Sequence, residues 1–312
     1  MNYVKSCSLF VFVFCMLFQF SSRAQTIPKE KLIALTPEWE GERFEDGRPN
    51  VPDHILERME HVTIEEAWGI IRREGYHNQF EGGKWEILHP GEPIIGRALT
   101  ATYTPARPAV KEHIKAQGKK DGRSGPPNTW PIDMLQQGDV YIADGYGKVK
   151  DGTLIGDRLG NTVYANSGNG VVLNGSSRDR EGLSQIEGFN AFVRAWHPSY
   201  IQEMMLIGLN TPTRIGSVTV MPGDVVLAKK EGIVFIPAHL AEKVVDESEV
   251  IRVRDTFAHE KVRDGTYTAG QMDTEWTGEI EEDFKNWVEE NSRRLKEEAG
   301  VSQTMIDNLL EK

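Results

Sequence analysis

Cysteine is almost absent from this chain of 312 residues. The sequence contains two cysteines, Cys7 and Cys15, and both fall within the first 24 residues. A chain that has lost those residues can form no disulfide, no cysteine–metal site and no thiolate nucleophile. Chemistry in the rest of the chain therefore rests on carboxylate, imidazole, guanidinium, hydroxyl and backbone groups.

Positive charge is scarce as well. The sequence has 36 lysines and arginines against 47 aspartates and glutamates, a formal net charge of −11. Binding to nucleic acid or to an anionic membrane depends on clustered lysine and arginine, so we expect neither partner. The hydrophobic share of 39% and the charged share of 27% are ordinary for a folded soluble protein.

Long apolar runs are missing after the first 24 residues. Lys5 is followed by an apolar run over residues 8–18, and Ser22-Arg23-Ala24 places small residues where a signal peptidase cuts. The run is too short to span a bilayer comfortably. The alternative is a buried N-terminal helix. The pattern predicts a signal peptide over residues 1–24 and a periplasmic or secreted protein with no membrane contact after cleavage.

The remaining chain divides into three predicted segments. Residues 25–52 are polar and proline-containing, and we expect a surface arm. Residues 53–278 alternate strand and helix patterns, which predicts a layered α/β domain with mixed sheets. Residues 279–312 form a predicted C-terminal helical extension with an apolar stripe of Phe284, Trp287 and Leu295, which packs either on its own domain or on a neighbouring subunit.

Several elements are predicted within the central segment. The patterns indicate one helix from Asp53 to about Arg73 and a short helix over residues 159–167. The basic, glycine-containing segment 111–127 is predicted to be a solvated loop, with a ligand-binding flap as the alternative. Apolar, β-branched runs predict strands, at residues 94–104, 140–143, 170–173, 191–195, 218–220, 225–227 and 233–236.

Familiar cofactor motifs are absent. The sequence contains no GxxxxGK[ST], HExxH or GxSxG, and the glycine pairs at 145–147 and 168–170 lack the third glycine of a dinucleotide loop. The eight histidines are scattered. His197 either approaches a site or has a surface or structural role.

Two turns carry the strongest chemical signal. Gly156-Asp157 opens a predicted helix, whose backbone N–H groups can hold an anion. Arg178-Asp179 follows the apolar strand at 171–173. An arginine there suits a carboxylate or enolate, and an aspartate suits a divalent cation that prefers oxygen ligands. The alternative is a surface ion pair.

The ordered combination resembles the RraA-like family, which includes 4-hydroxy-4-methyl-2-oxoglutarate aldolase and oxaloacetate decarboxylases. The resemblance covers about residues 53–273. Its most specific part is the Gly156-Asp157 loop followed by G-x-V-x-x-G-x-x-R-D, which ends at Asp179. Residues 222–225 and 231–237 resemble the later PGD and DGVxxxP segments of the family.

The resemblance implies a fold and a set of residue roles. The fold would be an α/β/β sandwich of the swivelling-domain type with N- and C-terminal extensions. Arg178 would hold the oxygen of a pyruvate unit and stabilise its enolate, and Asp179 would anchor Mg²⁺ or Mn²⁺ largely through waters. Asp157 would orient a metal-bound water or transfer a proton. The pyruvate carboxylate would lie on the loop formed by Leu154, Ile155, Gly156, Asp157, Arg158 and Leu159.

The resemblance also implies a homotrimer or a homohexamer in which a neighbouring subunit supplies an acid. That acid would be Asp255 or Glu260, and the residues do not decide between them. Lys229 and Lys230 depart from the family, which commonly has acidic residues there. The extensions and the signal peptide also differ from the cytoplasmic aldolases, so the substrate attached to the pyruvate unit stays open.

Two functions follow from these residues. The first is a divalent-metal-dependent carbon–carbon lyase that cleaves or decarboxylates a small 2-oxo acid through a pyruvate enolate. The alternative is a non-catalytic RraA-like binding or regulatory protein.

Export can be tested directly. We predict that protein isolated from its native host begins at or near Gln25, because the signal peptidase cuts after small residues. N-terminal sequencing checks this, and an intact Met1 on a cytoplasmic product contradicts it.

Overall fold

The computed structural model describes residues 25–311, and the predicted signal peptide at residues 1–24 lies outside them. The architecture is mixed α/β in three layers, with helices on one face of a ten-stranded sheet and a two-stranded sheet on the other. Among the described residues, no helix combines the length and the apolar character needed to cross a bilayer.

Ten strands form the main sheet and two form the small one. The main sheet contains β1 (Phe80–Gly82), β2 (Glu86–Ile87), β3 (Ile94–Pro105), β4 (Asp139–Asp144), β5 (Thr153–Ile155), β6 (Val171–Ser177), β7 (Ala191–Trp196), β8 (Met204–Leu209), β11 (Val225–Lys229) and β12 (Gly232–Ile236). The small sheet is the antiparallel pair β9 (Thr213–Ile215) and β10 (Val218–Val220).

Ten α-helices are described. They are α1 (Lys29–Leu35), α2 (Asp53–Met59), α3 (Ile64–Arg73), α4 (Pro108–Lys120), α5 (Asp157–Ser167), α6 (Arg180–Leu183), α7 (Ala241–Arg263), α8 (Ala269–Met272), α9 (Gly278–Ala299) and α10 (Gln303–Glu311). Two single-turn 3₁₀ helices span Ile132–Met134 and Ala238–Leu240.

The centre of the main sheet is parallel. The strand order is β1-β12-β11-β3-β4-β6-β7-β2, with β5 paired to β6 and β8 paired to β3. Strands β3, β4, β6 and β7 run in the same direction, whereas β11 and β12 are antiparallel to their neighbours. The carboxyl ends of β4, β6 and β7 therefore meet at one edge of the sheet, the usual place for a ligand in such sheets.

Alternating side chains build the three layers. On one face, Leu99, Tyr141 and Leu173 pack with α4 and α5, and Leu227 packs with α2, α3 and α7. On the opposite face, apolar side chains cover the β9–β10 hairpin, among them Val140, Val172, Phe192, Val226 and Phe235. This arrangement confirms the predicted α/β/β class.

Two local predictions differ from the structure. The helix predicted from Asp53 to Arg73 is divided into α2 and α3, because Thr63 accepts a hydrogen bond from the Glu66 N–H and the Glu66 carboxylate accepts one from the Thr63 N–H. This capping box starts a new helix. The loop predicted over residues 111–127 contains most of α4, which begins at Pro108, where proline favours the first helical turn.

The N-terminal arm is anchored by a buried ion pair. The Arg48 side chain is fully buried and donates two hydrogen bonds to Asp139 at the start of β4, at 2.9 and 3.1 Å. Asp46 accepts from Arg48 Nε at 2.8 Å, and the guanidinium lies 4.5 Å from the Phe44 ring centre. A bidentate pair of this kind fixes the arm in one orientation.

The C-terminal extension packs on its own chain. Phe257 of α7 lies 5.3 Å from Phe284 and 5.6 Å from Trp287, between ring centres, and both rings meet it edge-on. Leu295 is buried in the same cluster. The apolar stripe predicted for α9 is therefore covered by α7.

The arm's ion pair yields a stability prediction. Replacing Arg48 by Met leaves the Asp139 carboxylate buried without its partner, so we expect the free energy of unfolding to fall by about 3–5 kcal/mol. Urea denaturation measures this. The matched control is Arg73→Met, which removes an exposed pair with Glu247 and should cost at most about 1 kcal/mol. Equal losses in the two variants contradict the anchoring role.

Candidate active site

Two turns lie side by side at the carboxyl edge of the sheet. β6 ends at Ser177 and is followed by Arg178 and Asp179, whereas β5 ends at Ile155 and is followed by Gly156 and α5. The two strands are parallel, with Ile155 opposite Ser177. The register therefore brings the two predicted turns together, although 22 residues separate Asp157 from Asp179.

The Asp179 carboxylate lies beside the Arg178 side chain and the Asp157 backbone, so the three predicted catalytic residues are neighbours. Asp179 Oδ2 lies 3.3 Å from Arg178 Nε and accepts a hydrogen bond from the Asp157 backbone N–H at 3.4 Å. The Arg178 backbone N–H donates to the Ile155 carbonyl at 3.2 Å. Both the Arg178 and the Asp179 side chains are 40% exposed, so they remain accessible to a ligand.

Backbone conformation at this turn is unusual. Asp179 has a φ of 55° and a ψ of 41°, in the left-handed region that non-glycine residues rarely adopt. Its carbonyl accepts from the Leu183 N–H at 2.9 Å at the start of α6. Residues held in this region cluster at functional sites.

Gly156 allows the close approach of the two turns. A Cβ at this position would lie 2.3 Å from Asp179 Oδ2 and 2.9 Å from Arg178 Nε. Only a residue without a side chain leaves room for both groups beside the first turn of α5. Gly182 likewise leaves room for the Asp157 carboxylate, because a Cβ added at position 182 would lie 2.9 Å from Asp157 Oδ2.

The predicted anion loop has a buried part and an exposed part. Leu154 and Ile155 are buried in β5, and the Leu154 carbonyl accepts from Asn128 Nδ2 at 3.2 Å. Asp157 and Arg158 are exposed at the first turn of α5, and Leu159 is partly exposed. Gly156 itself is buried, so an anion can approach the positive end of the helix dipole only at the exposed residues that follow it.

The donor set fits a hydrated magnesium ion rather than a fully protein-coordinated metal. No three histidine, cysteine, aspartate or glutamate side chains gather as a metal site within residues 25–311. Asp179 and Asp157 offer carboxylate oxygens at adjoining turns. Magnesium takes oxygen ligands, keeps several waters and is often held by one or two carboxylates.

The two candidate second-subunit acids differ in their surroundings. Glu260 Oε2 accepts from Trp287 Nε1 at 2.9 Å, and Oε1 lies 2.7 Å from Arg294 Nη1. The hydrogen bond from Arg294 holds the pKa of Glu260 below its usual range. Asp255 is exposed on the same helix, α7. Within the described chain, neither acid is bonded to Asp157, Arg178 or Asp179.

The lysines that depart from the family pattern lie away from this site. Lys229 is the last residue of β11. It follows Ala228, which pairs with Ile94 at the start of β3, so it lies at the opposite edge of the sheet from the carboxyl ends of the parallel strands. Its Nζ donates to the Glu60 carbonyl at 3.0 Å. The lysine pair therefore does not alter the electrostatics around Arg178 of the same chain directly.

The end of β7 lies beside the turn that holds Arg178. Trp196 lies opposite Ser177, and the His197 N–H donates to the Ser177 carbonyl at 2.9 Å. His197 Nδ1 lies 3.2 Å from the Ser199 backbone nitrogen and 2.9 Å from the Ser199 hydroxyl oxygen. The Arg180 guanidinium lies 5.5 Å from the Trp196 ring centre. These positions follow from the parallel pairing of β6 with β7, which no local sequence pattern shows.

A known family model matches the part of the chain that forms most of the sheet. The model of the RraA-like family, described as Aldolase/RraA, matches residues 63–235. DlpA of Legionella pneumophila is 28% identical over 177 residues, which cover 56% of this chain and 27% of that protein. A protein of Ectopseudomonas mendocina named "Putative 4-hydroxy-4-methyl-2-oxoglutarate aldolase" is 32% identical over 111 residues, which cover 35% of this chain and 67% of that protein.

Solved structures show the same fold. An uncharacterised protein from Pseudomonas syringae pv. tomato superposes with a TM-score of 0.58 at 22% identity, over 74% of this chain and 97% of that chain. RraAS2 of Streptomyces coelicolor, described as an unusual member of the RNase ES inhibitor RraA protein family, gives 0.56 at 21% identity, over 70% and 99%.

Proposed function

The chain belongs to the RraA-like family, and on that premise we propose that it is a divalent-metal-dependent lyase that cleaves or decarboxylates a 2-oxo acid. The observation that carries the proposal is the convergence of Arg178, Asp179 and the first turn of α5 at one exposed turn. Relatives named as aldolases support the same chemistry.

The reaction builds negative charge at a single oxygen. When the carbon–carbon bond beyond the 2-oxo group breaks, its electron pair moves into the pyruvate unit and forms an enolate. In this proposal the Arg178 guanidinium would hydrogen-bond that oxygen as the charge develops. A magnesium or manganese ion held by Asp179, largely through waters, would supply Lewis-acid stabilisation of the same charge.

Proton transfer completes the reaction. In an aldol cleavage the substrate hydroxyl loses its proton and the carbonyl product leaves, whereas in a decarboxylation CO₂ leaves. In both cases the enolate then takes a proton at carbon to give pyruvate. We assign the proton handling to Asp157, whose Oδ1 accepts from the Arg158 N–H at 2.7 Å, so that Oδ2 is the oxygen assigned to a water or a proton.

The substrate carboxylate has a separate binding position. We propose that it lies at the exposed first turn of α5, where the positive end of the helix dipole would attract it. The Asp157 and Arg158 N–H groups already donate to the Asp179 and Asp157 carboxylates, so the dipole supplies most of this attraction. Leu154 and Ile155 support this turn from within β5. Because the substrate carboxylate would lie at α5, the Arg178 guanidinium would bind the reacting oxygen and not the carboxylate.

Assembly and location belong to the same proposal. We propose a homotrimer or a homohexamer that is exported after loss of residues 1–24, with active sites at subunit interfaces. Of the two candidate acids from the neighbouring subunit, the contacts favour Asp255, because Glu260 is already held by Trp287 and Arg294 of its own chain.

The catalytic role of Asp179 can be tested by pyruvate release. We expect Asp179→Ala to lose at least about 100-fold in kcat and its dependence on magnesium, because the charge on the enolate is no longer offset. Arg178→Lys keeps the charge but loses the planar fork, so it should lose much of the activity. A coupled assay over oxaloacetate and 4-hydroxy-2-oxo acids measures both.

The matched control is Asp133→Ala, which removes another exposed carboxylate and should leave the rate unchanged. Because oxaloacetate decays with magnesium alone, rates are compared between variants. Equal pyruvate release from wild type and Asp179→Ala for every 2-oxo acid contradicts the lyase and favours a non-catalytic binding or regulatory protein.

The close approach at Gly156 gives an independent test. In Gly156→Ala the new methyl group displaces the ends of the Asp179 and Arg178 side chains, which are exposed and can move. We therefore expect a stability loss of at most about 1 kcal/mol together with a loss of most pyruvate release. Gly91→Ala is the control, because nothing lies within 4 Å of its added Cβ. Full activity in Gly156→Ala refutes the arrangement.

A further inference from the structure

The N-terminal arm forms one wall of a cavity. Residues 35–39 lie over a space of about 280 Å³ whose other walls are Tyr76, the turn that precedes β11 and the segment that follows β12. Strands β11, β3 and β4 lie between β12 and β6. The cavity is therefore separate from the turn that holds Arg178.

A buried acid without a counter-ion lines this cavity. Asp224 is 4% exposed, and its Oδ2 accepts a hydrogen bond from the Met221 N–H at 2.8 Å. Within residues 25–311, no lysine, arginine or histidine forms an ion pair with it. Burial raises the pKa of Asp224 to about 8. A carboxyl group in this position gains stability from a cation brought into the cavity.

The remaining charged groups of the cavity have the same sign. Glu38 of the arm is a second carboxylate, and no lysine or arginine lines the space. Burial lowers the pKa of His239, so its ring is neutral at pH 7. The Tyr76 hydroxyl lies 3.4 Å from His239 Nε2. Burial raises the pKa of Tyr76. The cavity therefore offers acceptors and negative charge.

Aromatic rings also line the cavity. Trp39 is half-buried in the arm, and the Tyr76 and His239 rings lie 5.8 Å apart, centre to centre. Aromatic faces together with carboxylates suit organic cations, whose methyl and methylene groups contact the rings. A metal ion is a poorer fit, because no three ligating side chains gather among the described residues.

We propose that this cavity is a binding site for a small organic ammonium ion, with Asp224 as its counter-ion and Trp39 and Tyr76 as its aromatic walls. Glu38 supplies further negative charge at the entrance. Because the arm provides one wall, the site exists only while residues 35–39 are held in place.

Choline is a suitable probe because its charge does not change with pH. Isothermal titration calorimetry with the chain from Gln25 onward compares choline with 3,3-dimethylbutan-1-ol, which has the same shape and no charge. We expect choline to bind at least about tenfold more tightly, a difference of about 1.4 kcal/mol. Binding of choline should also weaken about tenfold in Asp224→Asn and in Trp39→Ala.

The pH dependence provides a second readout. Choline binds the ionised form of Asp224, so its affinity should rise about tenfold per pH unit below pH 8 and level off above it. Two other titratable groups that face the cavity do not give this profile. Burial lowers the pKa of His239 and raises the pKa of Tyr76, which moves both away from the range between pH 7 and 8.

Three results overturn the proposal: no binding of choline, equal binding of the uncharged analogue, or unchanged affinity in Trp39→Ala. Circular dichroism checks that Asp224→Asn is folded. If Asp224→Asn does not fold, the choline affinity of Trp39→Ala still tests the proposal. Pyruvate release in Trp39→Ala should equal that of wild type. The proposed ammonium site and the proposed lyase activity can therefore fail independently of each other.

Discussion

The parallel pairing of β5 with β6 is the constraint on which the site depends. It places Gly156 beside Arg178 and Asp179, and the missing Cβ at Gly156 allows the Asp179 carboxylate to accept from the first N–H of α5. One helix start, one guanidinium and one carboxylate thereby meet at one turn, where the Arg178 and Asp179 side chains are each 40% exposed. The buried strands on both sides hold this turn, so its geometry is set before a ligand arrives.

The arm contributes to the domain although it precedes the matched family region. Arg48 ties it to Asp139 at the first residue of β4, and the segment at 35–39 then lies over Asp224. The C-terminal helices cover α7 through Phe284 and Trp287 in a similar way. Both extensions therefore pack on the common fold and change which surfaces it exposes.

The strands of the sheet could be predicted because their residues are apolar and β-branched over short runs. Residues 94–104, 225–227 and 233–236 lie in strands, and the turn at Arg178 follows a strand as predicted. The division between α2 and α3 was missed because it depends on one capping pair, Thr63 and Glu66. The basic composition of α4 concealed its helix.

Contacts between distant residues could not be read from the sequence. Arg48 and Asp139 are 91 residues apart, and their pairing depends on the path of the arm over the whole domain. The position of Trp196 and His197 beside Ser177 depends on the register of β6 and β7. Local patterns indicate where a strand lies, whereas register is decided by packing on both faces of the sheet.

The most direct test of the central claim is electron paramagnetic resonance of Mn²⁺ with ¹⁷O-labelled oxalate, which has the shape and charge of enolpyruvate. We predict that the labelled oxygens broaden the Mn²⁺ lines in wild type, because the ion and the anion would meet between Asp179 and Arg178. We predict no such broadening in Asp179→Ala at the same concentrations. Broadening that is unchanged in Asp179→Ala, or absent in wild type, contradicts a metal-dependent enolate site at this turn.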